Sequence, residues 1–358
     1  MTGSKMNKYY DVFDDLKKYP NATIIIAYSR RGVGKTYSAL KGALERKQKI
    51  VYIKRTMADV DLICSASETF DTSPYKPINR DCGTNIKPHK IAPGIGSFNH
   101  YNDDNEPVGA PVAYAVALSA IKNMKGIDFS DCDFIIFDEF IPQVSETRVS
   151  SNESECLWDL YETVSRDRIK RGRGELKMLL FANAENIYCN IVDGLEILDE
   201  LAEIAVSGAR YKWIESRNIL IHHVNEIELT DAEKQGGLYK VMAGTAWHKK
   251  AYGGEFSKAD FSNISKSVLK NYGCLMMIHY RQKDFYIYQK DDHFYIGNIK
   301  SNRFKQTFNL NRDNDVRLFY LKYVLDIQEA CINGNVKFSS YSLYDLIMNY
   351  PKRFKNIL

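Results

Sequence analysis

The stretch AYSRRGVGKTYSAL, residues 27–40, decides the fold. It closes on Gly34, Lys35 and Thr36, the end of a phosphate-binding loop, yet Ser29 stands where such a loop normally opens on glycine, and Arg30 and Arg31 follow it. Upstream, NATIIIAYS (residues 21–29) is a short apolar run that predicts a buried strand; downstream, TYSALKGALERK (residues 36–47) has the composition and period of a helix. A loop between strand and helix points successive backbone N–H groups and the helix N-terminus at phosphates. Ser29, Arg30, Arg31, Gly32, Val33, Gly34, Lys35 and Thr36 are therefore the expected nucleotide-binding loop, with Lys35 on the β and γ oxygens and the Thr36 hydroxyl on Mg²⁺.

Such a loop needs an acidic group at the end of another buried strand, close to the metal. DCDFIIFDEF (residues 131–140) supplies it: after apolar Phe134 to Phe137, Asp138 is placed to hold Mg²⁺ and Glu139 to polarise the attacking water. KIVYIKR (residues 49–55), PVAYAVALS (residues 111–119) and KMLLFANA (residues 177–184) predict further strands of the same sheet. Asn183 ends the last of them, either as a sensor of the γ-phosphate that couples hydrolysis to movement or simply as a strand terminus. Strands alternating with helices predict an α/β fold with a parallel sheet.

A chain of 358 residues with 44% hydrophobic side chains is long enough for two domains with real cores. The longest apolar runs fall short of the roughly 18 residues that span a bilayer, and MTGSKMNKYYD lacks the apolar core of a secretion signal, so a cytoplasmic protein without membrane partners is expected. The seven cysteines form no CxxC pair, which predicts buried thiols rather than zinc ligands or disulfides. A net charge of +4 is too small to demand a polyanion by itself, but RDRIKRGRGELK (residues 166–177) concentrates cationic side chains.

Taken together, SRRGVGKTY, VYIKR, FIIFDEF, ETVSRDR and LLFANA, in that order over about the first 200 residues, resemble the DNA-packaging ATPases of small tailed bacteriophages of the phi-twenty-nine type, relatives of the large terminases. The resemblance implies an additional-strand, terminase-like P-loop NTPase domain. It implies ATP as the nucleotide and a homo-oligomeric ring, a pentamer, around double-stranded DNA. Each site would be completed by an arginine of the next subunit, Arg166 here, with Arg168 second. It further implies work in the host cytoplasm, transiently attached to the portal of a procapsid, and leaves open whether a structural RNA takes part. An arginine inside the loop, matching Arg31, belongs to the pattern; Arg30 has no counterpart. Lys125 lies where the family has a lysine facing the pore, and Lys170, Arg171 and Arg173 are weaker candidates for DNA contact, with ordinary solvated charge as the alternative. Where the family places adenine contacts, NKYYDVFDDLKKYP (residues 7–20) contains no glutamine; packing against the sheet edge is expected of Tyr9 and Tyr10, with stacking of one of them on the base as the alternative.

Three segments are expected: a P-loop ATPase domain over residues 1–204, a linker or helical subdomain over 205–250, and a C-terminal domain over 251–358. In the last, CLMMIHY, DFYIYQK and HFYIGNI predict a β meander followed by helices near 315–332 and 341–348. By resemblance it is a small α+β domain like a degenerate ribonuclease H-type nuclease. Asp284, Asp291 and Asp292 fall at predicted turns, so docking or nucleic-acid binding is expected of it rather than cleavage. His222 and His223, in ILIHHVNEI, are expected to be structural. The leading expectation is an ATP-driven DNA translocase. The alternatives are a P-loop ATPase with another task, such as a phage assembly factor or a helicase, and a nucleotide-gated scaffold with little turnover.

Overall fold

The computed structural model describes residues 9–65, 71–123, 128–142, 152–166, 168–183, 187–245, 248, 252, 261–265 and 269–358. The chain divides into two compact units, one of residues 1–197 with 207–258, the other of 198–206 with 259–358.

The first unit is built on a nine-stranded sheet. In chain order it comprises α1 (Val12–Lys18), β1 (Ile24–Ser29), α2 (Lys35–Glu45), β2 (Ile50–Lys54), α3 (Met57–Ile63), α4 (Lys76–Cys82), β3 (Ile86–Ala92), β4 (Ile95–Tyr101), β5 (Pro107–Ala117), β6 (Phe134–Asp138), α5 (Glu153–Ser165), β7 (Lys177–Asn183), α6 (Asn190–Gly194), β8 (Tyr211–Ile214) and β9 (Ile219–Val224). The strand order is β3-β4-β5-β2-β6-β7-β1-β9-β8. The six strands from β5 to β9 run parallel, while β3, β4 and β8 join antiparallel at the edges. The central strands are apolar along nearly their whole length because helices cover both faces of a parallel sheet, and Ile25, Ile26, Ile53, Ile135, Ile136 and Leu180 are fully buried. β7 lies between the P-loop strand β1 and the acidic strand β6, which is the additional strand that the resemblance implies. Gly42 on α2 faces α1, where a Cβ would stand 2.3 Å from the Phe13 ring; only glycine lets the two helices approach this closely.

One expectation is corrected here. Residues 205–250 are only partly helical: β8 and β9 extend the first unit's sheet, with β9 in parallel register against β1, and two short helices, Asp231–Gln235 and Gly237–Val241, follow them. α6 ends at Gly194, and a separate helix, α7 (Leu198–Ser207), contributes residues 198–206 to the second unit, where Asp199 accepts hydrogen bonds from the Ser342 backbone and hydroxyl at 2.8 and 2.7 Å.

The second unit carries a five-stranded sheet. β10 (Gly273–Tyr280), β11 (Lys283–Lys290) and β12 (His293–Gly297) form the expected meander, turning through left-handed Arg281 and Asp291 (φ 57° and 53°). β13 (Gln306–Asn309) runs parallel to β10, and β14 (Val336–Phe338) parallel to β12 at the other edge. Helical segments from Asp313 to Ile332, with a π-helical stretch at Tyr320–Val324, and from Tyr341 to Met348 pack Phe319, Ile327 and Ile347 against the sheet. Phe285, Tyr286, Tyr288 and Tyr295 are buried. Asp284 pairs with His279 and Asp292 with His293, each at 2.7 Å, rather than converging with one another. Of the cysteines, Cys82 is exposed and Cys274 half-buried, which departs from the expectation that all are buried.

Candidate nucleotide site and its surroundings

The loop leaves β1 at Ser29 and enters α2 through Gly34, which caps the helix at φ 86° without a side-chain cap. Gly34 is required twice over, by that left-handed backbone and by Tyr9, whose ring would lie 2.9 Å from an added Cβ. The first-turn amides of α2 therefore open towards the loop, where an anion can satisfy them. Ser29 is fully buried, and Lys35 donates its ammonium to Ser29 Oγ while that hydroxyl donates to the Arg30 carbonyl at 2.6 Å. Serine in place of the first glycine thus provides a parking place for the lysine. Burial pushes the Lys35 ammonium down to about 8, opposed by the carboxylates of Asp138 and Glu139 and reinforced by Arg30.

The strands bring the remaining groups to the same end of the sheet. Ser29 is in parallel register with Asn183, and Asp138 with Phe181. A cavity of about 340 Å³ is lined by the loop from Arg31 to Tyr37 together with Asp138, Glu139, Ala182 and Asn183. Asp138 accepts a hydrogen bond from Tyr52 Oη at 3.1 Å and lies 3.8 Å from the Lys54 ammonium. Burial first, then the Asp138 charge, raises the Tyr52 phenol well above its ordinary value, so it remains a donor that orients the carboxylate. Glu139 is exposed, with a left-handed φ of 59°.

Not every expected site residue reaches this cavity. Arg30 points away: buried, it donates to Glu233 Oε1 at 3.2 Å, to the Arg31 carbonyl at 3.0 Å and to the Glu228 carbonyl at 3.1 Å. The expectation that it contacts nucleotide is corrected; it fastens the loop to the segment after β9. Arg31 does line the cavity. Arg168 is likewise corrected, because its guanidinium is buried in its own subunit on the Cys132 and Gly174 carbonyls and Asp133 Oδ1. Arg166, the C-cap of α5, is exposed and does not line its own subunit's cavity. Arg171 donates to Ser130 Oγ at 2.8 Å and Arg173 to the Ser130 carbonyl at 3.3 Å, so the basic turn, with Lys170 exposed on it, docks onto the segment before β6. Lys125 lies outside the described residues. Tyr10 is buried with its hydroxyl on Asp15, as packing would have it, whereas Tyr9 is 44% exposed and covers the loop at Gly34.

Fold and site together define a P-loop nucleotide-binding fold with an additional strand between the loop strand and the acidic strand. A sequence profile of the Podovirus DNA encapsidation protein (Gp16) family matches residues 104–338, and the chain belongs to that family. Its function is viral DNA packaging. The match begins after the phosphate-binding loop, so the loop stands on its own geometry. The structure is similar to the bacteriophage Phi-29 viral genome packaging motor assembly (TM-score 0.65, 15% identity, 98% of this chain and 100% of that one). It is also similar to the Phi-28 gp11 DNA packaging motor (TM-score 0.61, 17% identity, 98% of each chain). At such identities these likenesses concern the fold. No curated protein matches the sequence significantly. Among the described residues no helix is long and apolar enough to cross a membrane.

Proposed function

We propose that the protein hydrolyses ATP to drive double-stranded DNA into a procapsid through its portal, acting as a homo-oligomeric ring. The observation that carries this reading is the shared cavity at the carboxyl ends of β1, β6 and β7, where the loop, Asp138, Glu139 and Asn183 meet. The loop amides and Lys35 would hold the β- and γ-phosphates, with charge-assisted hydrogen bonds worth roughly twice neutral ones. The donor set suits Mg²⁺: the Thr36 hydroxyl and the Asp138 carboxylate are hard oxygen ligands beside a phosphate cradle. When bound, the ion would neutralise negative charge on the phosphates. Glu139 would polarise the attacking water, and Asn183 would report the γ-phosphate through β7.

The exposed Arg166, at the end of α5, is the candidate for completing a neighbouring subunit's site. A guanidinium supplied in trans stabilises developing phosphoryl charge and makes hydrolysis depend on the neighbour. Lys125, Lys170, Arg171 and Arg173 are the proposed phosphate contacts, which suit a machine indifferent to DNA sequence. The C-terminal unit serves docking or nucleic-acid binding rather than cleavage. The test is DNA packaging in vitro: with procapsids and ATP, DNA should become resistant to nuclease. DNA left unprotected with ATP, or equally protected with a non-hydrolysable analogue, would contradict the reading.

A further inference from the structure

We propose that Arg55 is the positioning residue for Glu139 and the link between that carboxylate's loop and α5, the helix that ends on Arg166. The inference deepens the reading above and rests on it. Glu139 holds a φ of 59°, which a residue with a Cβ keeps only when its surroundings impose it. What imposes it is visible. Arg55, just past β2, sends Nη2 to the carbonyls of Glu139 and Phe140 at 3.1 and 2.9 Å, while the Phe140 N–H donates to the Phe181 carbonyl at 3.0 Å.

The other nitrogen of the fork completes the connection. Arg55 Nη1 donates to Glu153 Oε2 at 2.6 Å, both side chains are buried (7% and 4% exposed), and Glu153 opens the first turn of α5. An acid there suits the positive end of the helix. The 13-residue helix then runs about 20 Å to its C-cap, Arg166. A buried ion pair is not needed for stability, since apolar side chains of similar volume often serve as well. What apolar groups cannot do is hold two carbonyls and a carboxylate in one rigid fork, which is arginine's particular geometry. A shift of the Glu139 backbone is thereby passed to Glu153, and along α5 to the arginine offered to the neighbouring subunit.

The experiment uses the full-length chain and measures three quantities: ATP turnover, affinity for a non-hydrolysable ATP analogue, and melting temperature. Arg55→Lys keeps the charge but not the fork, and Glu153→Gln keeps the shape but not the charge. Turnover should fall about 100-fold in Arg55→Lys and about 10-fold in Glu153→Gln, with analogue affinity within about threefold of the parent, because a small displacement of a catalytic group costs rate rather than binding. Turnover within about twofold of the parent in either folded variant overturns the proposal, as does a parallel loss of turnover, affinity and melting temperature in both. Loss of turnover in Glu139→Gln but not in Arg55→Lys would discredit the link alone; unchanged turnover in Glu139→Gln would discredit the reading of the site itself. The connection to Arg166 is tested by combining Arg55→Lys with Arg166→Lys: the double variant should be about as slow as the slower single variant. Multiplied losses would show that the two residues act independently.

Discussion

Lys35 donates its ammonium to the hydroxyl of Ser29, the residue standing where a glycine would usually open the phosphate-binding loop. Burial leaves that ammonium poised at about 8 in the free protein. Bound phosphates favour the charged form, so above pH 8 nucleotide binding must take up a proton. Affinity should therefore fall with rising pH, approaching tenfold per unit between pH 8 and the pKa in the complex. Lys35→Arg, charged throughout this range, should flatten the profile. Equilibrium binding of a non-hydrolysable analogue at pH 7, 8 and 9 checks it; a flat profile in the parent protein would contradict a lowered Lys35 ammonium that takes up its proton on binding phosphate.

Arg166 and Arg168, two residues apart in ETVSRDR, should behave differently. Arg168→Ala strips buried bonds to Cys132, Gly174 and Asp133 and should cost about 2–4 kcal/mol of stability, read as a lower denaturation midpoint. Arg166→Ala, at an exposed cap, should change stability by less than about 0.5 kcal/mol yet abolish turnover. In mixed rings, Arg166→Ala subunits should depress hydrolysis by more than their share. A loss merely proportional to dilution would argue against an arginine acting in trans.

His222 on β9 is buried between carboxylates, Nδ1 lying 2.7 Å from Asp15 and Nε2 3.2 Å from Glu226, with the Tyr211 ring stacked at 4.1 Å, Tyr10 on Asp15 and Arg210 on Glu226. Burial alone would lower the imidazole pKa, but hydrogen bonds and charge from Asp15 and Glu226 outweigh it and raise the value. Burial would raise the Glu226 carboxyl, yet His222 and Arg210 hold it at about 2. The histidine's contribution is thus complete below about pH 6.5 and lost as pH rises through its raised folded value; that of Glu226 is present above about 4.5 and lost as pH falls towards 2. Replacing His222 with glutamine should lower stability most near pH 5 to 6 and flatten its decline on the alkaline side. Thermal melts of both proteins across pH 5 to 9 decide this, and parallel profiles would show that His222 is neutral.

The phosphate-binding loop, the acid pair and the additional strand were legible because each is written locally, as an apolar run ending in polar groups at a fixed offset. The cavity they share follows from parallel strands ending together. The hairpin of β3 and β4 was not legible: IKPHKIA sits at a sheet edge, is mostly solvated, and lacks the apolar pattern that marks a buried strand. β9 carried apolar ILI, but its histidines obscured it, since the carboxylate partner of His222, Asp15, comes from the other end of the unit's sequence. The fates of Arg30 and Arg168 were equally hidden. Runs of arginine look like solvated charge until partners such as Glu233 and the Cys132 carbonyl are brought near by the fold.

The most direct test is steady-state ATP hydrolysis by the protein and its Glu139→Gln variant, each with duplex DNA, with single-stranded DNA and without nucleic acid, at low and moderate salt. The parent protein should be stimulated preferentially by duplex DNA, and the stimulation should fade as salt displaces its phosphate contacts. Glu139→Gln should bind ATP with similar affinity and turn over at least about 100-fold more slowly, consistent with loss of a general base. Normal turnover in Glu139→Gln, or parent hydrolysis indifferent to duplex DNA, would contradict a site in which Glu139 activates water to move a duplex.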